Sequence, residues 1–153
     1  MKERIIIGSD HAGYILKGSL KLFLAKNGFE VQDAGAYSKE RCDYPKFAKS
    51  VASGVSSGKF KKGILICKSG IGSSIVANKL PGVRAALCYN VSAARLSREH
   101  NDSNILVLGA AFVNKALALG IVRTWLKTAF TGGRHKRRLD QIKRIEKIAF
   151  KRA

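Results

Sequence analysis

The sequence predicts an α/β fold: a Rossmann-like, five-stranded parallel sheet with helices on both faces and an extra helix at the C-terminus. Apolar runs, which are typical of buried parallel strands, alternate five times with stretches that repeat apolar residues at helical spacing. No linker, internal repeat or low-complexity segment interrupts this alternation. We therefore expect residues 1–153 to form a single domain.

The first half of the chain contains two of the strand–helix pairs. RIIIGSD at residues 4–10 and FEVQDAG at residues 29–35 predict the first two strands. Residues 14–28 and 44–58 repeat apolar side chains at helical spacing. Pro45 lies in the first turn of the second helix, where its missing N–H would have no intrahelical partner in any case.

The second half contains three more pairs and a last helix with no strand after it. Strands are expected at residues 62–67, 82–89 and 103–109. Helices are expected at residues 72–79, 91–100 and 114–130, and a final helix at about residues 136–150. The final helix carries an apolar stripe of Leu139, Ile142, Ile145, Ile148 and Ala149. This stripe must be buried, either on its own domain or, as we expect, on a partner subunit.

The chain is strongly basic. Its 29 Lys and Arg residues outnumber its 10 Asp and Glu residues, which gives a formal net charge of +19 at pH 7. This charge predicts attraction to an anion: a nucleic acid, an anionic membrane surface, an acidic protein or a phosphorylated metabolite. The sequence has neither an RNA-binding aromatic signature nor a zinc-finger pattern, so nucleic acid is not the partner that we expect.

Nothing in the sequence indicates a membrane, an export signal or a metal. No window approaches the ~18 continuous apolar residues of a membrane span, and the first residues lack the apolar core of a secretion signal. We therefore expect a cytoplasmic protein with no membrane partner. Cys42, Cys67 and Cys88 cannot all pair with one another, and no C-x-x-C spacing indicates zinc. We expect free thiols, no metal and no cofactor.

Two turns at the carboxyl ends of predicted strands carry residues suited to chemistry, and ligands of open α/β sheets bind at that edge. GSDHAG, after the first strand, places Asp10 beside His11. This pair could bind a ligand. Alternatively, Asp10 caps the following helix and His11 is a surface imidazole.

The second turn, CKSGIGSS, follows the third strand. Its glycines let backbone N–H groups point inward at the start of a helix, which suits a phosphate or a developing oxyanion. Cys67 ends the strand close to that helix N-terminus with Lys68 beside it, and both neighbours favour the thiolate. The residues alone leave a reactive cysteine and a buried, inert cysteine as alternatives.

Four further candidates lie outside these turns. His100 and Asn101 precede the fifth strand, so they belong to the amino edge of the sheet, opposite Cys67. If His100 and Cys67 act on one substrate, a second subunit must supply one of them. Arg134 and Arg138 are four residues apart and share one face of a helix, where they could bind a phosphate or belong to a solvated basic surface.

Seven short motifs, spread over almost the whole chain, carry a resemblance to a known family. They occur in this order between about residue 4 and about residue 142: IGSDHAG, DYP, GILIC.SGIG, ANK.PG.RAAL, ARLSREHND.N, LGA and GGRH..R. The combination resembles the ribose-5-phosphate isomerase type B family, within the sugar-phosphate isomerases that also include galactose-6-phosphate isomerase subunits. ARLSREHND favours the ribose branch.

The resemblance implies a metal-free aldose–ketose isomerase that interconverts ribose 5-phosphate and ribulose 5-phosphate, a step of the pentose phosphate pathway. It also implies a homodimer or homotetramer in which each site is built from two chains.

The resemblance further implies roles for individual residues. Cys67 would be the base that moves a proton between C1 and C2 of the opened sugar, and Ser69 would help to position it. The enediolate oxygen would be held by the backbone of Ser69, Gly70, Ile71 and Gly72. Asp10 and His100 would transfer protons during ring opening, and Asn101 would bind sugar hydroxyls. The phosphate would be bound by His11, Arg134 and Arg138.

Two positions depart from the family pattern. Lys68 stands where the family usually has Gly, and Ala111 stands where it commonly has a phosphate-binding Arg. We expect Lys68 to contact the substrate, and Lys68 and Lys115 are the candidates to replace the missing guanidinium.

Two alternatives remain open at this point. The same chemistry could act on another aldose phosphate, such as allose 6-phosphate or galactose 6-phosphate. The net charge of +19, Lys68 and Ala111 would also fit a catalytically weakened protein that binds anions or nucleic acid.

Overall fold

The computed structural model describes residues 1–151 of the chain. Its strands are β1 Arg4–Ser9, β2 Glu30–Asp33, β3 Lys62–Cys67, β4 Ala85–Leu87 and β5 Ile105–Gly109. Its helices are α1 Tyr14–Lys26, α2 Tyr44–Ser56, α3 Ile71–Ala77, α4 Val91–Asn101, α5 Lys115–Lys127 and α6 Arg134–Lys151. The predicted fold class is confirmed, and all the predicted strands and helices are present.

The five strands form one parallel sheet in the order β2-β1-β3-β5-β4. Alternate residues of each strand face opposite sides of the sheet. Ile5 and Ile7 of β1 therefore join the core beneath α1, α4 and α5, whereas Ile6 joins the core beneath α2 and α3. Both faces are thus covered by helices, as the apolar strands predict.

Several element boundaries differ from the sequence prediction by one to three residues, and those of β4 and α6 have a clear local cause. β4 is only Ala85–Leu87, because the backbone of Arg84 instead pairs with Asn104, whose side chain accepts from the Arg84 N–H at 2.7 Å. Cys88, expected inside that strand, follows its last residue, although it is buried. α6 begins at Arg134, two residues earlier than expected, because Gly132 and Gly133 at φ 69° and 57° turn the chain directly into it.

A buried ion pair ties α1 to the end of β2. Lys17, almost fully buried, donates from Nζ to Asp33 Oδ1 at 2.7 Å and to the carbonyl of Ala36. Asp33 also accepts from Lys21 Nζ at 2.7 Å and from the Gly35 N–H at 2.9 Å. These contacts fix the start of the segment that connects β2 to α2 and leads to the cleft described below.

β1 and β3 lie side by side in the middle of the sheet. The chain leaves β1 towards β2 on one side, and it leaves β3 towards β4, beyond β5, on the other side. Where the connections of two adjacent strands run to opposite sides, a crevice forms outside the carboxyl ends of those strands. This crevice is the usual ligand site of open α/β sheets. Among residues 1–151, no helix is both long and apolar enough to cross a membrane.

Candidate active site

A cleft of about 580 Å³ opens at the carboxyl ends of β1 and β3. The residues that line it come from the turns after β1 and β3 and from the segment before α2: Asp10, His11, Ala12, Lys39, Arg41, Cys42, Asp43, Tyr44 and Lys68. The two turns meet because the Asp10 N–H donates to the carbonyl of Ile66 at 3.2 Å. The lining has three cationic side chains and one histidine against two carboxylates, an excess of positive charge that suits an anionic ligand.

Cys67 is the last residue of β3 and lies at the base of the turn that follows. Its side chain is buried, and the Gly70 N–H donates to its Sγ at 3.2 Å. Gly70 has a φ of 82°, and a Cβ on it would collide with Leu87, so only glycine gives the turn this shape. A donor aimed at the sulfur stabilises negative charge there. This local geometry favours the reactive reading of Cys67 over the inert one.

The turn already uses two of the four N–H groups that the resemblance assigns to the enediolate. Gly70 donates to the Cys67 sulfur, and Ile71 donates to Ser69 Oγ at 3.2 Å. Gly72 is in the first turn of α3, where an N–H has no intrahelical acceptor. The carbonyl of Ser69 accepts from the Tyr89 hydroxyl at 2.9 Å, which fixes the turn from the outside.

Lys68 is exposed and lines the cleft beside Asp10 and His11. Its backbone carbonyl accepts from the Ala111 N–H at 2.9 Å, so the two departures from the family pattern are direct neighbours. The Lys68 side chain lines the cleft, whereas Ala111 is not among the residues that line it. Lys115, the other candidate, starts α5 and is not among the residues that line the cleft.

Asp10 has both a local and a cleft-facing role. Its Oδ1 accepts from the Gly13 N–H at 3.0 Å, which satisfies a backbone donor where α1 begins, as the capping alternative predicts. The same side chain also lines the cleft. His11 Nδ1 lies 3.2 Å from both the backbone N and the backbone O of Cys42, which leaves Nε2 as the ring nitrogen available to a ligand.

The remaining predicted site residues lie at the opposite edge of the sheet. His100 and Asn101 end α4, just before the amino end of β5, and Arg134 and Arg138 are in the first turns of α6. The five-residue strand β5 separates the two edges by on the order of 15 Å. Within one chain, the structure therefore brings Asp10, His11, Cys67 and Lys68 together but keeps them apart from these four.

His135 connects α6 to His100. The two imidazole rings are stacked, with centroids 4.1 Å apart and planes 11° from parallel. Burial lowers the pKa of His135 below its ordinary value of 6.5, and the positive charge of His100, Arg134 and Arg138 lowers it further, whereas Glu99 acts in the opposite direction.

The sequence did not identify two residues that contribute to these surroundings. Tyr44 lines the cleft and packs so closely over Gly72 that a Cβ there would collide with its ring. His135 stacks on His100. Tyr44 belongs to the family motif DYP and His135 to the family motif GGRH..R. The motifs therefore identified both segments, but they indicated no role for either residue. Among residues 1–151, no group of three or more His, Cys, Asp or Glu side chains could hold a metal ion.

Comparison with known proteins places the chain in a family. The family model described as Ribose/Galactose Isomerase matches residues 5–142. Ribose-5-phosphate isomerase B of Escherichia coli K12 is 46% identical over 144 residues, which cover 94% of this chain and 97% of that protein.

Solved structures show the same relationship. Ribose-5-phosphate isomerase B of Clostridium thermocellum superposes with a TM-score of 0.94 at 54% identity, covering 95% of this chain and 99% of that one. The Mycoplasma genitalium enzyme, solved with bound ribulose 5-phosphate, superposes with a TM-score of 0.92 at 42% identity, covering 96% and 98%. These matches confirm the resemblance carried by the motifs, and the chain belongs to the ribose/galactose isomerase family.

Proposed function

We propose that this protein is an aldose–ketose isomerase that interconverts ribose 5-phosphate and ribulose 5-phosphate. The observation that carries the proposal is the buried Cys67 sulfur, which accepts from the Gly70 N–H and directly precedes Lys68, a residue that lines the cleft. The relatives named as ribose-5-phosphate isomerases, which match this chain over nearly its whole length, support the choice of substrate. We assign the reaction to the pentose phosphate pathway in the cytoplasm.

Cys67 is the base in this mechanism. Its thiolate removes the proton from C2 of the opened aldose and returns it to C1, and the aldehyde oxygen carries the negative charge of the enediolate in between. Because the sulfur is shielded from water, the proton it holds is not readily exchanged before it is returned. The turn 69–72 supplies N–H donors to the enediolate oxygen, and Ser69 positions the sulfur through the same turn.

The other assigned residues bind the substrate and open its ring. Asp10 and His100 exchange protons with the ring oxygen and the C1 hydroxyl, and Asn101 binds sugar hydroxyls. The phosphate is bound by His11, Arg134 and Arg138. Lys68 adds a further cation to the cleft from the position that adjoins Ala111. The reaction moves one proton from C2 to C1 and a second from the C2 hydroxyl to O1, and it requires no electron acceptor.

A complete site requires two copies of the chain. Cys67 and His100 lie at opposite edges of the sheet of one subunit, so both reach one substrate only if a partner supplies His100, Asn101, Arg134 and Arg138. We therefore propose a homodimer, alone or within a homotetramer, with each site shared between two chains.

The C-terminal helix is the surface that supports this assembly. His135 and Leu139 are buried on the chain's own domain, but Ile142, Ile145 and Ile148 further along α6 are 46%, 66% and 55% exposed. Ile142 and Ile145 border an apolar groove of about 700 Å³ between α6, α4 and the β4 edge. An exposed aliphatic row beside an apolar groove is typical of an interface, and the second copy is its proposed occupant.

The test is an isomerase assay in buffer containing a metal chelator. Purified protein is incubated with ribose 5-phosphate, and ribulose 5-phosphate is measured beside parallel reactions with allose 6-phosphate and galactose 6-phosphate. We expect the highest kcat/KM with ribose 5-phosphate. Turnover of only a six-carbon sugar would replace the proposed substrate while keeping the mechanism, and no turnover of any aldose phosphate would refute the proposed function.

A further inference from the structure

A buried imidazole lies against the residue assigned to ring opening. The rings of His100 and His135 are stacked with centroids 4.1 Å apart. His135 is only 8% exposed, whereas His100 is half-buried and accessible from outside the subunit. One ring of the pair is therefore available to a ligand, and the other supports it from inside.

The backbone around the stack holds the two rings together. Thr131 donates to the carbonyl of Glu99 from its N–H at 3.1 Å and from its hydroxyl at 2.7 Å. This joins the segment before α6 to the last turn of α4, one residue before His100. Leu139, one helical turn after His135, is also buried, so α6 cannot move away from α4 without exposing both side chains.

The charges around His135 favour its neutral form. The groups that face it are His100 and Glu99 from α4, and Arg134 and Arg138 from α6. Two protonated imidazoles at stacking distance, beside two guanidiniums, would repel each other strongly. A neutral His135 instead offers His100 a flat, uncharged surface.

We infer that His135 is a positioning residue, whose buried ring holds the His100 imidazole in one orientation for proton exchange with the sugar. The inference rests on the proposed function, because His100 acts in ring opening there. His135 itself touches neither the reacting carbons nor the cleft. Its contribution is to remove rotational freedom from the His100 side chain, which otherwise would have to be ordered during the reaction.

Two substitutions separate positioning from other roles. We expect His135→Ala to lower kcat for ribose 5-phosphate by roughly 10-fold and to change KM by less than about 2-fold. His135→Phe restores a flat ring without a titratable group, and we expect it to recover most of the lost kcat. An Ala variant with wild-type kcat would overturn the inference, and so would a Phe variant as slow as the Ala variant. A large rise of KM in both variants would also overturn it.

A second readout does not depend on turnover. The chain has 3 histidines, so each side-chain signal can be assigned by one substitution in an NMR spectrum. We expect the stacked ring to shield the His100 ring protons, and this shielding to disappear in His135→Ala but persist in His135→Phe. Unchanged His100 signals in the Ala variant would show that the stack does not exist in solution. An inactive wild-type protein with intact shielding would refute the proposed function and not the stack.

Discussion

At the residue scale, the surroundings of one sulfur atom decide what Cys67 can do. The sequence alone leaves a reactive and an inert cysteine as alternatives at the end of this strand. Here the strand ends at a turn whose glycine, with positive φ, directs the Gly70 N–H at the sulfur. Burial raises the pKa of Cys88, the other buried cysteine, to about 11, although a hydrogen bond from Ser97 acts in the opposite direction. The Cys67 sulfur thus accepts from a backbone N–H of its own turn, whereas the Cys88 thiol donates to the Ala86 carbonyl at 3.7 Å.

Replacing Cys67 tests its role as the base. We expect Cys67→Ala to lower kcat for ribose 5-phosphate by about 10²–10⁴-fold, because the proton transfer loses its base while the binding groups remain. KM should change little. Cys88→Ala is the matched control, since it also removes a buried thiol, and it should retain wild-type kcat. Steady-state kinetics of both variants measure this, and a Cys67→Ala enzyme of near-normal kcat would eliminate Cys67 as the base.

Replacing Lys68 tests whether the departure from the family pattern contributes to binding. Because Lys68 lies in the cleft but not on the reacting atoms, we expect Lys68→Ala to raise KM by roughly 5–10-fold and to leave kcat within about 2-fold. Added salt should raise the wild-type KM more than that of the variant. Lys26→Ala, at the exposed end of α1, is the control. A lower KM in Lys68→Ala would show that the side chain obstructs the substrate instead.

At the element scale, sequence periodicity predicted which segments are helices and strands better than where they end. The long apolar runs of β1, β3 and β5 are unambiguous because both faces of each strand are buried. β4, at the edge of the sheet, is short because the backbone N–H of Arg84 donates to the Asn104 side chain instead of to a neighbouring strand. Such a contact joins residues 20 apart, so local periodicity carries no trace of it.

The ion pair between α1 and β2 makes a testable contribution to stability. Burial raises the pKa of Asp33, but hydrogen bonds from Lys17, Lys21 and the Gly35 N–H outweigh it and hold the pKa below 3.8. A carboxyl whose pKa is lowered on folding stabilises the fold above its unfolded pKa, and this contribution is lost as the pH falls through the folded value.

We expect Asp33→Asn to lower the free energy of unfolding by about 3 kcal/mol near neutral pH, because it leaves the buried Lys17 ammonium without its counter-charge. The difference from wild type should shrink as the pH falls below 3.8. Urea unfolding across the acid range measures both values. Glu30→Gln, which breaks an exposed pair with Arg4, should cost under about 1 kcal/mol. A difference for Asp33→Asn that stays constant with pH would contradict the assigned ion pair.

At the scale of the whole molecule, the topology of the sheet explains why the sequence predicted the separation of two site residues but not the contacts between packed helices and turns. Residues before a strand and residues after a strand lie at opposite edges of a parallel sheet, so the separation of His100 from Cys67 followed from their order in the chain. The stack of His135 on His100 and the closeness of Tyr44 to Gly72 depend on how two elements pack. Neither contact has a spacing in the sequence that indicates it.

The exposed row on α6 should hold the two subunits together. We expect Ile145→Asp to convert the protein to a monomer and to lower kcat/KM at least about 10-fold, because a charge would be buried in the interface and the shared site would come apart. Leu22→Asp introduces the same charge at an aliphatic residue of α1 with similar exposure and should leave mass and activity unchanged. Light scattering beside the isomerase assay distinguishes them, and a fully active Ile145→Asp monomer would refute the shared site.

Mixing two inactive variants tests the shared isomerase site most directly. Cys67→Ala and His100→Ala are each prepared alone, then unfolded together in equal amounts and refolded so that subunits exchange. If each site takes Cys67 from one chain and His100 from its partner, half of the dimers are mixed and each has one intact site, which restores roughly a quarter of wild-type isomerase activity. Recovery to that level is the predicted result. Mixed dimers that form but stay as inactive as either parent would contradict it.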